Sequence, residues 1–324
     1  MSALGGLGPP QWRGQPGRLE VWYATFTDEA SGLGGWVHVE TVAPTEGGAP
    51  YAHGWTAVFP ADGPAVVERF GPSPVVPAAP DVWCRVGAAD HGPGWATVGP
   101  AVGADDATAQ LQGAAGSLAW DLQTADSSRP VYTLPRTAWD RHLLPAAQVV
   151  PQPSALVRGT VTVGGQARAV QGPGALARIY GHGSAQRWGW LHAPLGDGAA
   201  LEIVTATARR AALRRLPPLA LVQLRLPGEP DWPRRPLLAA VRFHTTLRAD
   251  GFTVTGRVGG RRLTVEVDLP IEPRVALSYA DPDGAAATCT NSERASARIT
   301  VTDRGGERRW ALDGTAHAEV GTRP

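Results

Sequence analysis

The stretch that decides the fold class is RGTVTVGGQARAVQ, from Arg158 to Gln171. Two strand-like runs flank Gly164-Gly165, and a two-residue glycine turn of this kind joins the strands of a β-hairpin. A second pair, Gly259-Gly260, divides the run from Val254 to Val267 in the same way. Both segments predict antiparallel strands joined by tight turns.

Strand-like runs recur along the whole chain, at about the 8–12-residue spacing typical of sandwiches and barrels. The first is Leu19 to Phe26, the alternating run from Trp36 to Val42 follows, and the last is 307–320. Glycine and proline account for 40 and 30 of the 324 residues, which favours short strands over long helices. We therefore predict an all-β protein of two barrels packed together, with domains at 1–150 and 151–324.

Four segments need separate predictions. The prolines between Pro145 and Ser154 predict a linker between the two domains. The segment Ala208 to Leu216, which is rich in Ala, Arg and Leu, is the best candidate for a short helix. Residues 105–115 are compatible with a helix or with a strand edge, and residues 237–247 are predicted as a strand.

The composition excludes several function classes. All 30 basic residues are arginine, so Schiff-base, pyridoxal-phosphate, Walker-type and kinase chemistry, which use lysine, are excluded. The net charge of +1 argues against nucleic acid as the main partner. The sequence has no Gly-x-Ser-x-Gly, His-Glu-x-x-His or Cys-x-x-Cys motif, and no histidine spacing diagnostic of a metal site. We predict neither a metal nor an organic cofactor.

The sequence also carries signals about its location. Met1 to Pro10 do not resemble a signal peptide, and no window approaches about 18 uninterrupted apolar residues. Cys84 and Cys289 are the only cysteines and are expected to be separate thiols. These features predict a cytoplasmic monomer or weak dimer with no transmembrane segment and at most peripheral membrane contact.

The run from Arg187 to His192 contains the leading candidate site. Strand alternation places Trp188, Trp190 and His192 on one face. An aromatic wall with one imidazole suits an apolar cavity in which a proton is moved. The alternative is a core aromatic pair with a hydrogen-bonded histidine.

Other candidates lie on neighbouring segments. Glu202 lies within an apolar strand, where a carboxyl would have a raised pKa and could act as an acid. His182 lies in a glycine-flanked loop that could form a pocket rim. The pair His38 and Glu40, and the pair His317 and Glu319, each place an imidazole and a carboxyl on one strand face. The predicted substrate contacts are Trp188, Trp190, Trp22, Tyr23, Trp36, His38, Glu40, Asn291 and His317.

Several of these segments resemble one family. Gly159 to Gly165, Val170 to Gly174 and Arg187 to Gly189 resemble the start of the second barrel in the lipocalin-like AttH/carotenoid 1,2-hydratase (hydroxyneurosporene synthase) superfamily. Glu20 to Tyr23 looks like its opening strand. Tocopherol cyclase and lipocalin-like Diels–Alderases are related to this superfamily. The resemblance implies two tandem lipocalin-like (calycin) antiparallel β-barrels, with an apolar pocket at or between them.

The sequence departs from the hydratases of this superfamily at two points. Those enzymes have an Asp-His-Asn-Trp-Gly type motif where this chain has Ala185-Gln-Arg-Trp-Gly189, so Gln186 occupies the histidine position. The Tyr-x-Asp pair of the following strand is replaced by the run Leu201 to Ala206. His192 is therefore the best replacement acid or base.

The sequence thus predicts a cofactor-independent lyase or isomerase acting on a large, hydrophobic isoprenoid or polyketide-like molecule. The reaction would be a hydration, a cyclisation or a [4+2] cycloaddition. Trp188 and Trp190 would stack on the substrate and stabilise positive charge, while His192, His182 or Glu202 would move a proton. The alternatives are a non-catalytic lipid or pigment carrier, and a pair of packed barrels with no cavity.

Overall fold

The structure is a computed structural model that describes residues 7–88, 94–101, 107–141 and 146–324. Two curved antiparallel sheets make up almost all of it. The first sheet contains β1 (Arg18–Thr27), β2 (Gly34–Ala43), β3 (Tyr51–Phe59), β4 (Val66–Pro74), β5 (Cys84–Val86), β6 (Trp95–Pro100), β7 (Thr108–Ala115), β8 (Leu118–Ala125), β9 (Val131–Tyr132), β10 (Ala146–Val163) and β11 (Gln166–Gly181). The second contains β12 (Arg187–Gly196), β13 (Ala199–Thr207), β14 (Leu219–Arg225), β15 (Phe243–Leu247), β16 (Gly251–Val258), β17 (Arg261–Asp268), β18 (Val275–Ala280), β19 (Ala286–Asp303) and β20 (Gly306–Thr322).

Each sheet curls into a nearly closed barrel. The first follows the order β4-β3-β2-β1-β11-β10-β8-β7-β6-β5, with β9 beside β10, and its end strands β4 and β5 lie against each other. The second follows β14-β13-β12-β20-β19-β17-β16-β15, with β18 beside β19, and β14 approaches β15. The predicted all-β fold of two tandem lipocalin-like barrels is confirmed.

The strand β11 determines where the first barrel ends. It pairs with β10 from the Gly164-Gly165 turn, as predicted, to its end at Gly181, and Gly174 to Gly181 also pair with β1. The predicted linker from Pro145 to Ser154 is wrong from residue 146 onward, because Pro151 and Pro153 lie in β10; Pro145 lies outside the described residues. The hairpin therefore belongs to the first barrel, and the second sheet begins at Arg187. As separate folding units, domains 1–150 and 151–324 stay a prediction.

Three local predictions are resolved by the described residues. The expected helix at 208–216 is wrong, because only a 3-10 turn, Ala211–Leu213, forms before the two prolines. The segment 237–247 is a strand only from Phe243; before it come the short helix α2 (Pro236–Ala239) and a 3-10 turn, Ala240–Arg242. Residues 108–115 form strand β7, and the remaining helix, α1, spans Arg136–Asp140.

The barrels pack against each other through apolar side chains outside their own cores. Each barrel has its own core, built around Trp22 and Phe70 in the first and around Phe252 in the second. A further cluster joins Tyr23 of β1 to Trp190 of β12, whose rings meet edge to face with centroids 5.4 Å apart. Alternate residues of β1 point to opposite sides of the strand. One set therefore packs in the first core, and the other set packs in the contact between the barrels.

Two further structural observations concern the predictions about cysteines and membranes. Cys84 and Cys289 are both buried and both free. Within the described ranges, no helix has the length and apolar character needed to cross a bilayer.

Candidate functional site

An apolar cavity of about 300 Å³ lies between the two barrels. Its walls come from β1, β2, β10 and β11 of the first barrel and from β12, β13, β14, β18 and β20 of the second, together with adjoining loops. The side chains that carry polar or aromatic groups into the wall are Tyr23, Trp36, His38, Glu40, Thr133, Gln148, Ser184, Trp188, Trp190, Tyr279, Asp281 and Glu319.

Strand alternation determines which residues of β1 reach the cavity. Leu19, Val21 and Tyr23 line it. Trp22, a predicted substrate contact, does not line the cavity, because its side chain points into the first barrel core and is fully buried. Its ring lies 4.8 Å from the Arg178 guanidinium carbon.

The Trp188 indole forms one wall of the cavity and is held by Glu319. Its Nε1–H donates a hydrogen bond of 2.7 Å to Glu319 Oε1. The ring lies flat across β20 because the residue opposite it is Gly321. A Cβ at that position would overlap the ring atoms Cζ2, Cε2 and Cη2, so Gly321 is required for this position of the indole.

The Glu319 side chain is half-buried and lines the cavity. Burial raises its pKa, and the hydrogen bonds from Trp188 and from the Cys289 thiol oppose that rise. The thiol donates to Glu319 Oε2 over 3.3 Å. Burial also raises the pKa of Cys289 well above its usual value. Glu319 is therefore a carboxyl biased towards its neutral form in an apolar wall.

A second carboxyl, Glu202, lies behind Trp190. Its Oε1 accepts hydrogen bonds from Trp190 Nε1 at 2.6 Å and from Gln148 Nε2 at 2.8 Å. Gln148 Nε2 also lies 2.6 Å from the hydroxyl oxygen of Tyr23. Burial and the charge of Glu202 raise the pKa of Tyr23 well above its usual value. Glu202 therefore holds two cavity-wall side chains in place without lining the cavity itself.

A chain of buried titratable groups leads away from Glu202. His192 Nδ1 lies 3.1 Å from Glu202 Oε2, and the rings of His192 and His317 have centroids 5.6 Å apart. His317 Nδ1 lies 3.7 Å from Glu293 Oε2, and its Nε2 lies 3.0 Å from the Thr27 hydroxyl. Burial and the nearby His192 lower the pKa of His317 well below its usual value.

Glu293 ends this chain. Burial raises its pKa to about 8, and the charge of Glu319 adds to the rise, while the hydrogen bond from the Thr25 hydroxyl opposes it. Asn291 is fully buried and lies opposite Glu319 in the pairing of β19 and β20. It does not line the cavity.

The side chains of β2 form the opposite wall. His38 Nε2 lies 3.1 Å from Glu40 Oε2, and both residues line the cavity with Trp36. His53 lies behind them, with its Nε2 3.9 Å from the same Glu40 oxygen. Burial lowers the pKa of His53 to about 4, so it is neutral at physiological pH.

The mouth of the cavity is formed by the loop between the barrels and by the turn after β18. Ser184 donates its backbone N–H and its hydroxyl to Asp281 Oδ1, at 2.9 and 3.0 Å. Asp281 also pairs with the Arg323 guanidinium. His182 lies in the same loop but is exposed, with its Nδ1 2.9 Å from the Gly17 carbonyl oxygen. It lines no part of the cavity.

The structure thus divides the predicted site residues into two groups. Those that line the cavity are Trp188, Trp190, Tyr23, Trp36, His38 and Glu40; those that do not are His192, Glu202, His182, Trp22, Asn291 and His317. His192 shares a strand face with Trp190, but it lies farther along the strand, where it is fully buried against Glu202 and His317.

Several cavity residues are not among the predicted site residues, and Glu319, Gln148 and Tyr279 are three of them. The sequence pattern associates Glu319 only with His317, whereas its carboxyl accepts hydrogen bonds from Trp188 and Cys289. Gln148 fell inside the predicted linker, and Tyr279 lies on a short strand with no distinguishing motif. Alternation from His317 places Glu319 on the same face of β20, which was the one available signal.

Among the residues that the structure describes, no group of three or more His, Cys, Asp or Glu side chains is arranged to hold a metal ion. The polar groups of the cavity wall are instead hydrogen-bonded to indoles, amides, an imidazole and a thiol. Two barrels around a shared apolar cavity with polar groups in its wall define the class of double-barrel lipocalin-like proteins that process or bind small molecules.

The chain belongs to the tocopherol cyclase-like family, whose sequence pattern matches residues 103–322. It is 50% identical over 315 residues to the uncharacterized proteins MT0513 and Rv0493c of two Mycobacterium tuberculosis strains, covering 97% of this chain and 89% of theirs.

Solved structures share the fold at low identity. A putative AttH from Nitrosomonas europaea matches with a TM-score of 0.59 and 14% identity, over 94% of this chain and 92% of that one. CghA with Sch210972 gives 0.60 and 15%, and kievitone hydratase from Nectria haematococca gives 0.58 and 8%, each over 94% of this chain and 88% of theirs. The family match confirms the predicted relationship to tocopherol cyclase, and the solved structures confirm the predicted fold.

Proposed function

We propose that the protein is a cofactor-independent lyase or isomerase that protonates a carbon–carbon double bond of an apolar isoprenoid or polyketide-like substrate. The observation that carries the proposal is the Glu319 carboxyl, which lines an apolar cavity and has a raised pKa. A carboxyl with a raised pKa holds its proton more firmly than an ordinary one, which suits it to act as a general acid. The family name, tocopherol cyclase-like, supports ring closure as the reaction.

The proposed reaction needs no oxidant or reductant. The Glu319 proton forms a bond to one alkene carbon, and the other carbon becomes a cation. A hydroxyl of the substrate, or a water molecule, then bonds to the cation through oxygen and releases its proton to the His38–Glu40 pair. With a substrate hydroxyl the product is a cyclic ether isomeric with the substrate, and with water it is an alcohol.

The aromatic wall supports this reaction in two ways. Trp188 and Trp190 border the cavity beside Glu319, and indole faces attract a developing positive charge. The same rings shape an apolar space that folds a flexible chain into a reactive conformation, and such positioning can contribute several of the ~7–11 kcal/mol available to well-oriented reactions.

The proposal changes the roles predicted for His192 and Glu202. Neither lines the cavity, and Glu202 contacts the indole of Trp190 and the amide of Gln148. We assign both residues to positioning: His192 orients Glu202, and Glu202 fixes Trp190. The exposed His182 has no role in the reaction as proposed.

The test uses a prenylated hydroquinone as the probe, in deuterated water, with the product analysed by mass spectrometry. Wild-type protein should form a chroman that carries one deuterium on carbon. Glu319→Gln should lower turnover by about 10²–10⁴-fold, the range for loss of a general acid. Binding should persist, because the glutamine oxygen can still accept the Trp188 hydrogen bond. Glu266→Gln, an exposed carboxyl on β17, is the matched control.

Wild-type turnover by Glu319→Gln would overturn the assignment of Glu319. His192→Ala separates the earlier prediction from this one: complete loss of turnover with unchanged probe binding would favour His192 as the proton carrier. Partial loss accompanied by weaker binding would favour positioning.

The second candidate function is a lipid or pigment carrier, which the predominantly apolar lining of the cavity favours. Native mass spectrometry with organic extraction, on protein purified from its own host, distinguishes the two. A tight carrier should arrive loaded and should return its probe unchanged, whereas an enzyme should release a converted molecule. We further propose that the protein acts in the cytoplasm as a monomer or weak dimer.

A further inference from the structure

The connection between β13 and β14 has an unusual composition. The Arg-Leu loop, residues 208–219, reads ARRAALRRLPPL and contains four arginines and no acidic residue. Its leucines are turned outward: Leu213 is 41% exposed, Leu216 58% and Leu219 49%. Exposed leucines leave apolar surface in contact with water, which is unfavourable. A surface that is both apolar and anionic would bury the leucines and pair with the arginines.

The Arg-Leu loop lies at the mouth of the cavity. Ala206, two residues before the loop, and Leu221, two residues after it, line the cavity wall. Arg209 pairs with Asp283, in the same turn as the cavity residue Asp281. The loop and the cavity opening are therefore parts of one surface.

The positive charge of the loop is largely uncompensated. Within the described part of the chain, no carboxylate lies at ion-pair distance from Arg210, Arg214 or Arg215. Arg214 Nε instead donates to the Arg209 carbonyl oxygen at 3.2 Å. Burial lowers the pKa of the Arg323 guanidinium, and the nearby positive charges of Arg209 and Arg214 lower it further. The Arg-Leu loop therefore presents a net positive charge beside the cavity.

We propose that the Arg-Leu loop docks the protein on an anionic lipid bilayer, with the cavity mouth towards the membrane. The arginines would contact lipid phosphates and carboxylates, and the leucines would enter the boundary between head groups and acyl chains. This inference rests on the proposed function in one respect: an apolar substrate partitions into the bilayer, so docking at the mouth gives it a path that avoids water.

The test measures co-sedimentation of the full chain with vesicles of phosphatidylcholine, with and without phosphatidylserine. Wild-type protein should bind only the anionic vesicles, and added salt should weaken this binding. Arg214→Gln/Arg215→Gln should bind about 30-fold more weakly, at about fivefold for each arginine near the surface. Leu213→Ser/Leu216→Ser should lose about tenfold or more.

Two control variants match these changes on other faces. Arg257→Gln/Arg262→Gln removes two exposed arginines from the β16–β17 hairpin. Ile271→Ser removes an apolar side chain that is 85% exposed; Ile271 precedes the first residue of β18, whereas Asp281 follows the last. Both should keep wild-type binding. Thermal unfolding monitored by circular dichroism should show that all variants are folded.

Several results would overturn the proposal. One is equal binding of wild-type protein to both kinds of vesicle, or to neither. Another is an equal loss of binding in the control variants. A third is binding that soluble poly-glutamate abolishes and that the leucine changes leave intact, which would identify an acidic protein partner. The measurement contains no substrate, so its failure leaves the Glu319 test untouched, and the Glu319 test can fail while docking persists.

Discussion

Replacing Glu293 by glutamine should remove a pH dependence from the stability of the fold. Glu293 is fully buried, and its pKa is raised from 4.5 to about 8. The folded protein therefore holds this proton up to about pH 8, while the unfolded chain releases it above about pH 4.5. Unfolding releases one proton between these limits, so the free energy of unfolding falls as the pH rises.

The size of the effect follows from the two pKa values. One proton corresponds to about 1.4 kcal/mol per pH unit. Between 4.5 and 8 the wild-type protein should lose about 5 kcal/mol, and about 3 kcal/mol of this by pH 7. Glutamine has the shape of the neutral acid and can accept the Thr25 hydroxyl hydrogen bond, so the variant should escape this loss.

The assay is urea unfolding of both proteins at intervals from pH 5 to pH 8. At about pH 5 the two should have similar stability, and the variant should become progressively more stable above it. Glu266→Gln, whose carboxyl is exposed on β17, should follow the wild-type curve. Parallel curves for wild type and Glu293→Gln would refute the reasoning, because they would mean that Glu293 binds its proton equally in both states.

Two further predictions concern packing and charge. Gly321→Ala should displace the Trp188 indole, lower the free energy of unfolding by about 1–3 kcal/mol and weaken ligand binding, as measured by urea unfolding and by titration calorimetry; unchanged affinity would contradict the wall position of that ring. Arg178→Met should cost about 3–5 kcal/mol by leaving Glu20 buried and unpaired, because the two side chains lie 2.7 Å apart at 3% and 0% exposure. The double variant with Glu20→Gln should recover part of that loss, and a double variant no more stable than the single one would argue against the pairing.

Local patterns were sufficient for the strands and their turns. The Gly164-Gly165 and Gly259-Gly260 hairpins form as predicted, because a two-residue glycine turn requires little beyond its own backbone. The predicted linker failed for the opposite reason: its prolines are typical of a loop, and they lie in a strand only because β11 and β9 are available to pair with β10.

The cavity wall could be predicted only where one strand contained the whole pattern. Alternation within β2 placed Trp36, His38 and Glu40 together, and all three line the cavity. The partner of Trp188 could not be found in this way, since Glu319 lies 131 residues away and depends on the pairing of β12 with β20. Sequence periodicity gives the face of a residue, but which strand covers that face is a property of the whole fold.

The pairing of β1 with β11 has a consequence for how the chain emerges from the ribosome. Leu19 lies opposite Gly181, so one edge of β1 has no partner until residues far along the chain have been synthesised. During that interval the nascent chain presents an open strand edge, which is where intermolecular pairing begins. The shortest fragment that can close the first barrel ends at Gly181, and recombination of the two halves with relatives should be made between residues 182 and 186.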